Sequence, residues 1–325
     1  MPDLSVIITA RNEMWLQRTI DDVLKNAILD TELIVVLDGY WPPEPIPDHP
    51  KLTLVHHTTG VGQRAGVNEA ARLARAPYLM KLDAHCAMDQ GFDAKLLKPY
   101  QDKEIGQDVV TIPRLYNLHV FDWICDTCGR RSYQGPTPLH CPDCKGTPHR
   151  RDPIWKPRLN RRTDFARFDS EPHFQYWSDY EKRPAAKGHL ADVMCCVGAC
   201  WLVPRRHYWR VFDGMDESYG SWGSMGIELA CKAWLCGGRQ IVNKDTWYSH
   251  MFRTQGGDFS FPYQISGKQI AAAKARAKDV WWGNAWKRQS RPLSWIVDKF
   301  WPIPGWSEQD RDIVYASPSP ARRAA

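Results

Sequence analysis

The chain has 325 residues, 43% hydrophobic and 25% charged, an ordinary globular composition with room for a large core. No apolar run reaches the roughly 18 residues of a membrane span, and "MPDLSVIITARNE" lacks the basic-then-apolar build of a signal peptide. A formal charge of +6 points to an anionic substrate or polyanionic partner, and sixteen Trp are available for core packing or for stacking on flat ligands.

In chain order, "LSVIITA" (4–10) is a continuous apolar run, expected as a strand buried on both faces. "EMWLQRTIDDVLKNA" (13–27) repeats Trp15, Ile20, Val23 and Leu24 at helical spacing. Strands are expected again at 31–39, ending in Asp38-Gly39, and at 52–57, ending in His56 and His57. The loop "TTGVGQRAG" leads into the helix "VNEAARLARA", followed by the strand "PYLMKLD". This alternation predicts a Rossmann-like α/β fold, a mostly parallel sheet with flanking helices. Ligands of such sheets sit beyond the carboxyl ends of the strands, where Arg11, Asp38, Asp83 and His85 all fall. The glycine loop lacks the G-x-G-x-x-G order of a dinucleotide site and follows the third strand.

Later, "MCCVGACWLVPRRHYW" is expected as a strand turning into a helix, with Cys195, Cys196 and Cys200 as core thiols. "GIELACKAWLCGG" is a helix stopped by two glycines, and "RQIVNKDTWYSHMFR" a strand and its end. Residues 268–289 read as one Lys-, Arg- and Trp-laden helix, and the tail from Arg291 fades into a disordered "SPSPARRAA".

Ten cysteines without an export signal suggest a reducing, cytoplasmic setting. "CDTC" and "HCPDC" place Cys125, Cys128, Cys141 and Cys144 as two CxxC pairs, the spacing of a tetrahedral structural Zn2+ site, with iron as the chemical rival. The ribbon is either a staple for an insertion or a recognition lobe for nucleic acid. Downstream, Lys145, Arg150, Arg151, Lys156, Arg158, Arg161, Arg162 and Arg167 interleave with Trp155 and Phe165, a pattern that suits a phosphate backbone with stacked bases and equally a solvated basic face.

Asp83-x-His85 at a strand end fits a metal site, an acid–base pair or a polar loop. Its oxygen and nitrogen donors suit Mn2+, with Mg2+ as the alternative, and His250 after "TWYS" is the candidate third ligand.

Together, "SVIITARNE", "VVLDG", "RAGVNEAARLARAPYLMKLDAHC", "FDGMDESYGSWGSMGIELACKAWLCGG" and "SHMFRTQGGDFSFP" resemble the GT-A glycosyltransferases of the broad family-two type, above all the polypeptide N-acetylgalactosaminyltransferases. The resemblance covers about 4–120 and 190–288. It implies a GT-A fold and omits the cysteine ribbon, the basic segment and the tail; with these read from their own residues, the chain divides into a nucleotide-sugar half (1–120), a four-cysteine zinc ribbon and basic segment as an insertion (121–189), an acceptor-side half with a lid loop (190–290), and a partly disordered extension (291–325). It also implies Mn2+ held by Asp83, His85 and His250 beneath the diphosphate of a UDP-sugar, with Arg253 completing "HMFR". Asp38 is expected at the uridine or ribose, or as a turn former; Arg11 and Arg64 at the phosphates, or in surface ion pairs. Trp222 fits a sugar floor or the core.

The family's Trp-Gly-Gly-Glu-Asn is here Trp222-Gly223-Ser224-Met225-Gly226, so the donor class carries over and the donor sugar does not. No lectin domain or membrane anchor is read, so a secretory-pathway enzyme acting on protein is not expected. Asp216, Glu217 and Glu228 are the acidic candidates for a general base in an inverting mechanism, Glu228 first; a retaining mechanism could use the leaving phosphate. His119 is a further candidate on the acceptor side. Three functions are weighed: transfer to a hydroxymethylated pyrimidine in DNA, as phage-type enzymes do and then in a host cytoplasm; transfer to a small molecule, polysaccharide or protein; and a non-catalytic nucleic-acid-binding protein. No membrane or obligate protein partner is expected.

Overall fold

A computed structural model describes residues 1–220, 223–253, 257–263 and 266–320. In order, the chain forms β1 (Leu4–Ala10), α1 (Leu16–Asn26), β2 (Thr31–Asp38), β3 (Leu52–His57), α2 (Gln63–Leu73), β4 (Tyr78–Asp83), β5 (Cys86–Met88) and α3 (Phe92–Gln101). There follow β6 (Val109–Cys125), β7 (Arg131–Tyr133), β8 (His149–Thr163), β9 (Ala166–Phe168), β10 (Phe174–Tyr176), β11 (Leu190–Asp192), β12 (Cys200–Pro204) and α4 (Arg205–Arg210). The last elements are α5 (Met225–Leu235), β13 (Arg239–His250), α6 (Gly267–Ala277), α7 (Leu293–Phe300) and α8 (Glu308–Ala316).

The main sheet runs β11-β13-β6-β12-β4-β1-β2-β3. Every residue of β1 and β2 is buried, as their unbroken apolar runs require. β1, β2, β3 and β4 are parallel, so the alternating first half reads as expected. β12 then enters antiparallel to both β4 and β6, while β13 runs parallel to β6, giving a mixed sheet. α1 covers one face with Leu16, Thr19, Ile20 and Val23. α2 lies close on β1 because Gly66 leaves room there: a Cβ would stand 2.9 Å from Thr9 Cγ2.

β6 is 17 residues long and crosses residue 120, pairing with β8 from Leu115↔Thr163 to Cys125↔His149. The four-cysteine turn therefore caps a long hairpin growing out of the sheet. A small core of Trp15, Leu118, Val120, Phe121, Trp123, Met251 and Phe259 lies beneath it. Arg291–Ala316, expected as an extension, joins the main core through Leu293, Ile296, Val297 and Phe300 of α7. The single helix expected over 268–289 is shorter: α6 passes into one wider turn over Lys278–Trp282 and stops at Gly283 and Asn284, the latter at φ 51°. Trp15, Trp123, Trp177, Trp201, Trp234, Trp281 and Trp306 are buried, so much of the Trp excess is packing. Among the described residues, no helix is long and apolar enough to cross a membrane.

Asp93, fully buried at the start of α3, ties this helix to the α1–β2 connection. Its Oδ2 accepts from the N–H of Ile28 at 3.0 Å and of Leu29 at 2.9 Å, and from the Thr31 hydroxyl at 2.8 Å. Removing the carboxylate strands these donors. Asp93→Ala is expected to lower unfolding free energy by about 2–4 kcal/mol in a urea titration, with the far-UV spectrum unchanged.

Candidate functional site

The tips of β1 and β4 lie side by side because Thr9 pairs with Asp83. After Asp83 the chain turns into β5, whose Cys86 pairs with His250 at the end of β13, and the Met251 N–H donates to the His85 carbonyl at 3.1 Å. Backbone pairing thus lays His250 beside His85. Their Nε2 atoms are 3.0 Å apart, and His250 Nε2 is 3.2 Å from Asp83 Oδ2. Two unprotonated ring nitrogens and a carboxylate oxygen facing one point are mutually repulsive without a proton or cation between them. Cis ligands of an octahedral ion bound at ~2.1 Å would stand about 3.0 Å apart, close to what is seen.

Behind the triad, Glu13 Oε2 holds His85 Nδ1 at 2.9 Å, which fixes the ring with Nε2 turned inward, the usual support of a metal-bound imidazole. Glu13 also pairs with Arg253 and accepts from the Trp15 N–H at 3.1 Å. Lys81, buried in β4, pairs with Asp83 and donates to the Gly198 carbonyl at 2.9 Å; Gln63 Nε2 donates to Asp83 Oδ1 at 3.2 Å. Burial would raise the Asp83 carboxyl, but Lys81, His250 and His85 outweigh it and hold the group below the ordinary carboxylate range. Burial pushes the His250 imidazole down to about 4, with His85 and Lys81 acting in the same direction against Asp83. Both groups are therefore in the form a metal takes at neutral pH.

The triad opens into a cavity of about 500 Å³ that Arg11, Glu13, Arg253 and Tyr263 also line. Thr9 Oγ1 and Arg253 Nε are buried there without a hydrogen-bond partner among the described residues, as at a site that receives a polar ligand.

The structure separates the expected residues into two groups. Arg11, Asp83, His85, His250 and Arg253 line the cavity; Asp38, Arg64, Asp216, Glu217 and Glu228 do not. Asp38 is fully buried and its carboxylate accepts from the N–H groups of Val61 and Gly62, so it anchors the loop before α2. Arg11 reaches over it, donating to the Asp38 carbonyl at 2.9 Å. Glu228, first candidate for general base, is fully buried and ion-paired with Arg64 at 2.7 Å and Lys232 at 2.8 Å, and it accepts from the Asp216 N–H at 2.6 Å. Those cations hold it below its ordinary value against burial. Arg64 is likewise inward, donating to the Gly223 carbonyl at 2.7 Å and packing on Tyr219. Its effect on the cavity is indirect, through the wall at Gly223–Ile227. There Gly226 presses α5 on the preceding loop: a Cβ would stand 1.8 Å from the Cys196 carbonyl oxygen.

Asp216 caps Ser218 and pairs with Arg276 at 3.0 Å, and Glu217 accepts from Asn68 at 2.8 Å. His119 pairs with Asp122 at 2.7 Å and lies on Tyr133, on the hairpin. Trp222 lies outside the described residues. Glu13 and Lys81 are the residues sequence reasoning missed. Glu13 had a signal, since it stands two residues beyond Arg11 at a strand tip, and Lys81 is a charge inside an apolar run.

In the hairpin, Cys125 and Cys144 Sγ are 3.6 Å apart, as are Cys128 and Cys141, and all four sulfurs lie within 4.8 Å of one another. That is far beyond a disulfide bond and near the ~3.8 Å sulfur spacing of a tetrahedral zinc thiolate.

The family described as "Glycosyl transferase family 2" matches residues 5–212, more than half of the chain. Among similar proteins, polypeptide N-acetylgalactosaminyltransferase 3 of Drosophila melanogaster is 24% identical over 357 residues, covering 96% of this chain and 48% of that protein. The Homo sapiens protein of the same name is 26% identical over 299 residues, covering 86% and 41%. The chain thus spans about half, or less, of the length of these relatives. A solved structure described as "Crystal structure of GalNAc-T7 with UDP, GalNAc and Mn2+" superposes with a TM-score of 0.58 at 18% identity, covering 98% of this chain and 55% of that one, which shows the GT-A fold. With the sheet, the strand-tip site and the matched residues in agreement, this chain belongs to glycosyl transferase family 2.

Proposed function

We propose that the chain is a metal-dependent glycosyltransferase that moves a sugar from a UDP-sugar to a hydroxyl acceptor. The observation that carries this reading is the convergence of Asp83, His85 and His250 at the strand tips, with Glu13 orienting His85 from behind. The names of the relatives, and the UDP and Mn2+ in the described GalNAc-T7 structure, support it. A divalent ion held by these three residues, manganese or magnesium, supplies positive charge for the departing diphosphate. Arg11 and Arg253 add fixed guanidinium donors on the same cavity wall, suited to phosphate oxygens. Asp83 enters ionised and His250 neutral, so neither needs to change protonation to bind the ion.

The four-cysteine cluster suits a structural zinc, and its tie to the rest of the chain runs through the Thr137 N–H and hydroxyl, which donate to Asp258 at 3.0 and 2.7 Å, and through the Arg151–Asp258 pair. For the acceptor, a hydroxymethylated base in DNA keeps one support: among the described residues Lys145, Lys156, Arg158 and Arg161 form no ion pair, so they are available to phosphates. Arg150, Arg151 and Arg162 are engaged by Asp126, Asp258 and Glu181, and Arg167 is buried and bonded to Gln175, so four of the eight basic residues read from sequence are withdrawn from that face. A small molecule, glycan or peptide is the competing acceptor class. Product mass after incubation with a panel of UDP-sugars against hydroxymethylated DNA, unmodified DNA, peptide and glycans decides between them; glycan or peptide products with inert DNA remove the DNA reading.

Asp83→Ala and His250→Ala are each expected to lower transfer at least about a hundredfold; His250→Ala should leave the melting temperature within about 2 °C, whereas Asp83→Ala should lower it, because buried Lys81 loses its partner. Chelation should abolish transfer and added Mn2+ restore it; full activity in excess chelator would contradict the reading. Metal analysis should return one zinc per chain that survives the chelation stripping the active-site ion. Cys125→Ser and Cys144→Ser should lose that zinc and melt at lower temperature, since binding there is folding free energy. Unchanged melting with no zinc in the wild type refutes the zinc site.

A further inference from the structure

We infer that the cysteine hairpin holds one wall of the donor cavity in place, with Asp258 as the positioning residue that joins them. This rests on the transferase reading above, since a UDP-sugar is the ligand that wall would meet. Phe261, Pro262 and Tyr263 line the cavity together with Arg11 and Arg253. They belong to the segment 257–263, which follows β13 in the chain and begins with a single tight turn over Gly257–Phe259. Contacts from both the hairpin and the metal site fix where this segment lies.

On the hairpin side, the loop after β7 is tied back to the sheet. Gln134 accepts from the Val120 N–H at 2.6 Å and donates from Nε2 to the Leu118 carbonyl at 3.0 Å. The Trp123 indole N–H donates to the Gly135 carbonyl at 3.0 Å. Thr137, two residues on, is thereby carried by β6. Its N–H and hydroxyl both donate to the Asp258 carboxylate, at 3.0 and 2.7 Å, and Arg151 of β8 pairs with the same group. Arg151 is itself held over the rings of Trp123 and Phe121, 4.5 and 5.5 Å from their centres. Burial would raise the Asp258 carboxyl, but Thr137 and Arg151 outweigh it and keep the group ionised at neutral pH. An ionised acceptor makes each of these bonds stronger than a neutral pair would be.

On the cavity side, Phe259 is buried edge-on against Phe121, with ring centres 5.9 Å apart. The Ser260 carbonyl accepts from Arg253 Nη1 at 3.2 Å, and Arg253 pairs with Glu13, which orients His85. Tyr263 is buried, its ring centre 5.9 Å from the Arg11 guanidinium just beyond β1. Asp258, Phe259, Ser260 and Tyr263 are thus anchored within one short segment, so releasing Asp258 loosens the side chains that would face the nucleotide. Asp258 is not in the cavity lining. Its effect on UDP runs through the wall it holds, and the insertion becomes part of the donor site without touching the donor.

The test is calorimetric binding of UDP to the full chain in saturating Mn2+. Asp258→Ala should weaken UDP about tenfold and Thr137→Val about threefold, with Mn2+ affinity in the absence of UDP unchanged. The two losses should not add: in the Asp258→Ala background, Thr137→Val should cost nothing further. Thr137→Ser, which keeps the hydroxyl, should bind UDP as the wild type does. Arg130→Ala, which breaks the hairpin's own ion pair with Asp143, should leave UDP affinity unchanged. The inference is overturned by a Thr137→Val or Asp258→Ala protein that binds UDP within twofold of wild type. Additive losses, an equal loss of Mn2+ affinity, or a Thr137→Ser protein no better than Thr137→Val overturn it too. In each of those cases Mn2+-dependent UDP binding by the wild type leaves the transferase reading standing. A wild type that binds no UDP with Mn2+ overturns both.

Discussion

The site depends on how the end of β13 is held: His250 pairs with Cys86 of β5 on one edge and with Asn117 of β6 on the other. Asp83 and His85 come from the first half of the chain and His250 from the second, 165 residues after His85. Closing so long a loop costs only slightly more than closing a short one, but the contact forms only when the sheet is complete. The ligand geometry is therefore a property of the finished sheet. Glu13 then links His85 to Arg253, so one carboxylate couples the β1 tip to the segment after β13.

Buried charge shapes the rest of the cavity. Arg64, Glu228 and Lys232 form a network with almost no exposure, and Lys81 lies beneath Asp83. Such ions lose more hydration than a hydrophobic set of the same shape would, so stability alone does not account for them. What they do is directional. Arg64 and Glu228 fix the Gly223 carbonyl and the Asp216 N–H, which sets the wall at the start of α5, and Gly226 lets that wall touch the Cys196–Gly198 loop. Losing one member would leave its partner charged and buried, which is more damaging than losing the pair.

Sequence made the first half readable because strands buried on both faces leave largely apolar runs, as in β1, β2 and β4, and because Asp83 and His85 stand where such a run stops. His250 was legible as a candidate ligand at the end of a strand, and the resemblance joined it to Asp83 and His85, since a His at a strand end carries no distance information. Asp38 and Arg64 stayed open between a nucleotide contact and a turn or ion pair, and Glu228 stood first among acids that lie outside the cavity, for a shared reason: residue type says what a group can do, not which way it faces. β8 stayed hidden because Pro153, Pro157 and its many arginines oppose strand propensity; the ladder tolerates them by shifting register between His119 and Phe121.

β6 pairs through Asp122, Trp123 and Ile124 with β7 on one edge and β8 on the other. Its outer half therefore has no free edge only while the hairpin is present. Leu118, Val120, Phe121 and Trp123 on that half are buried in a small core with Trp15, Ala87, Met251 and Phe259, against which Trp155 of the hairpin packs. Trimming residues 126–163 while keeping β6 at full length would expose an apolar strand with two open edges, the pattern that seeds intermolecular β-pairing. The insertion and the length of β6 are thus locked together, so a lineage or an engineer can shorten this arm only by cutting both sides of it at once.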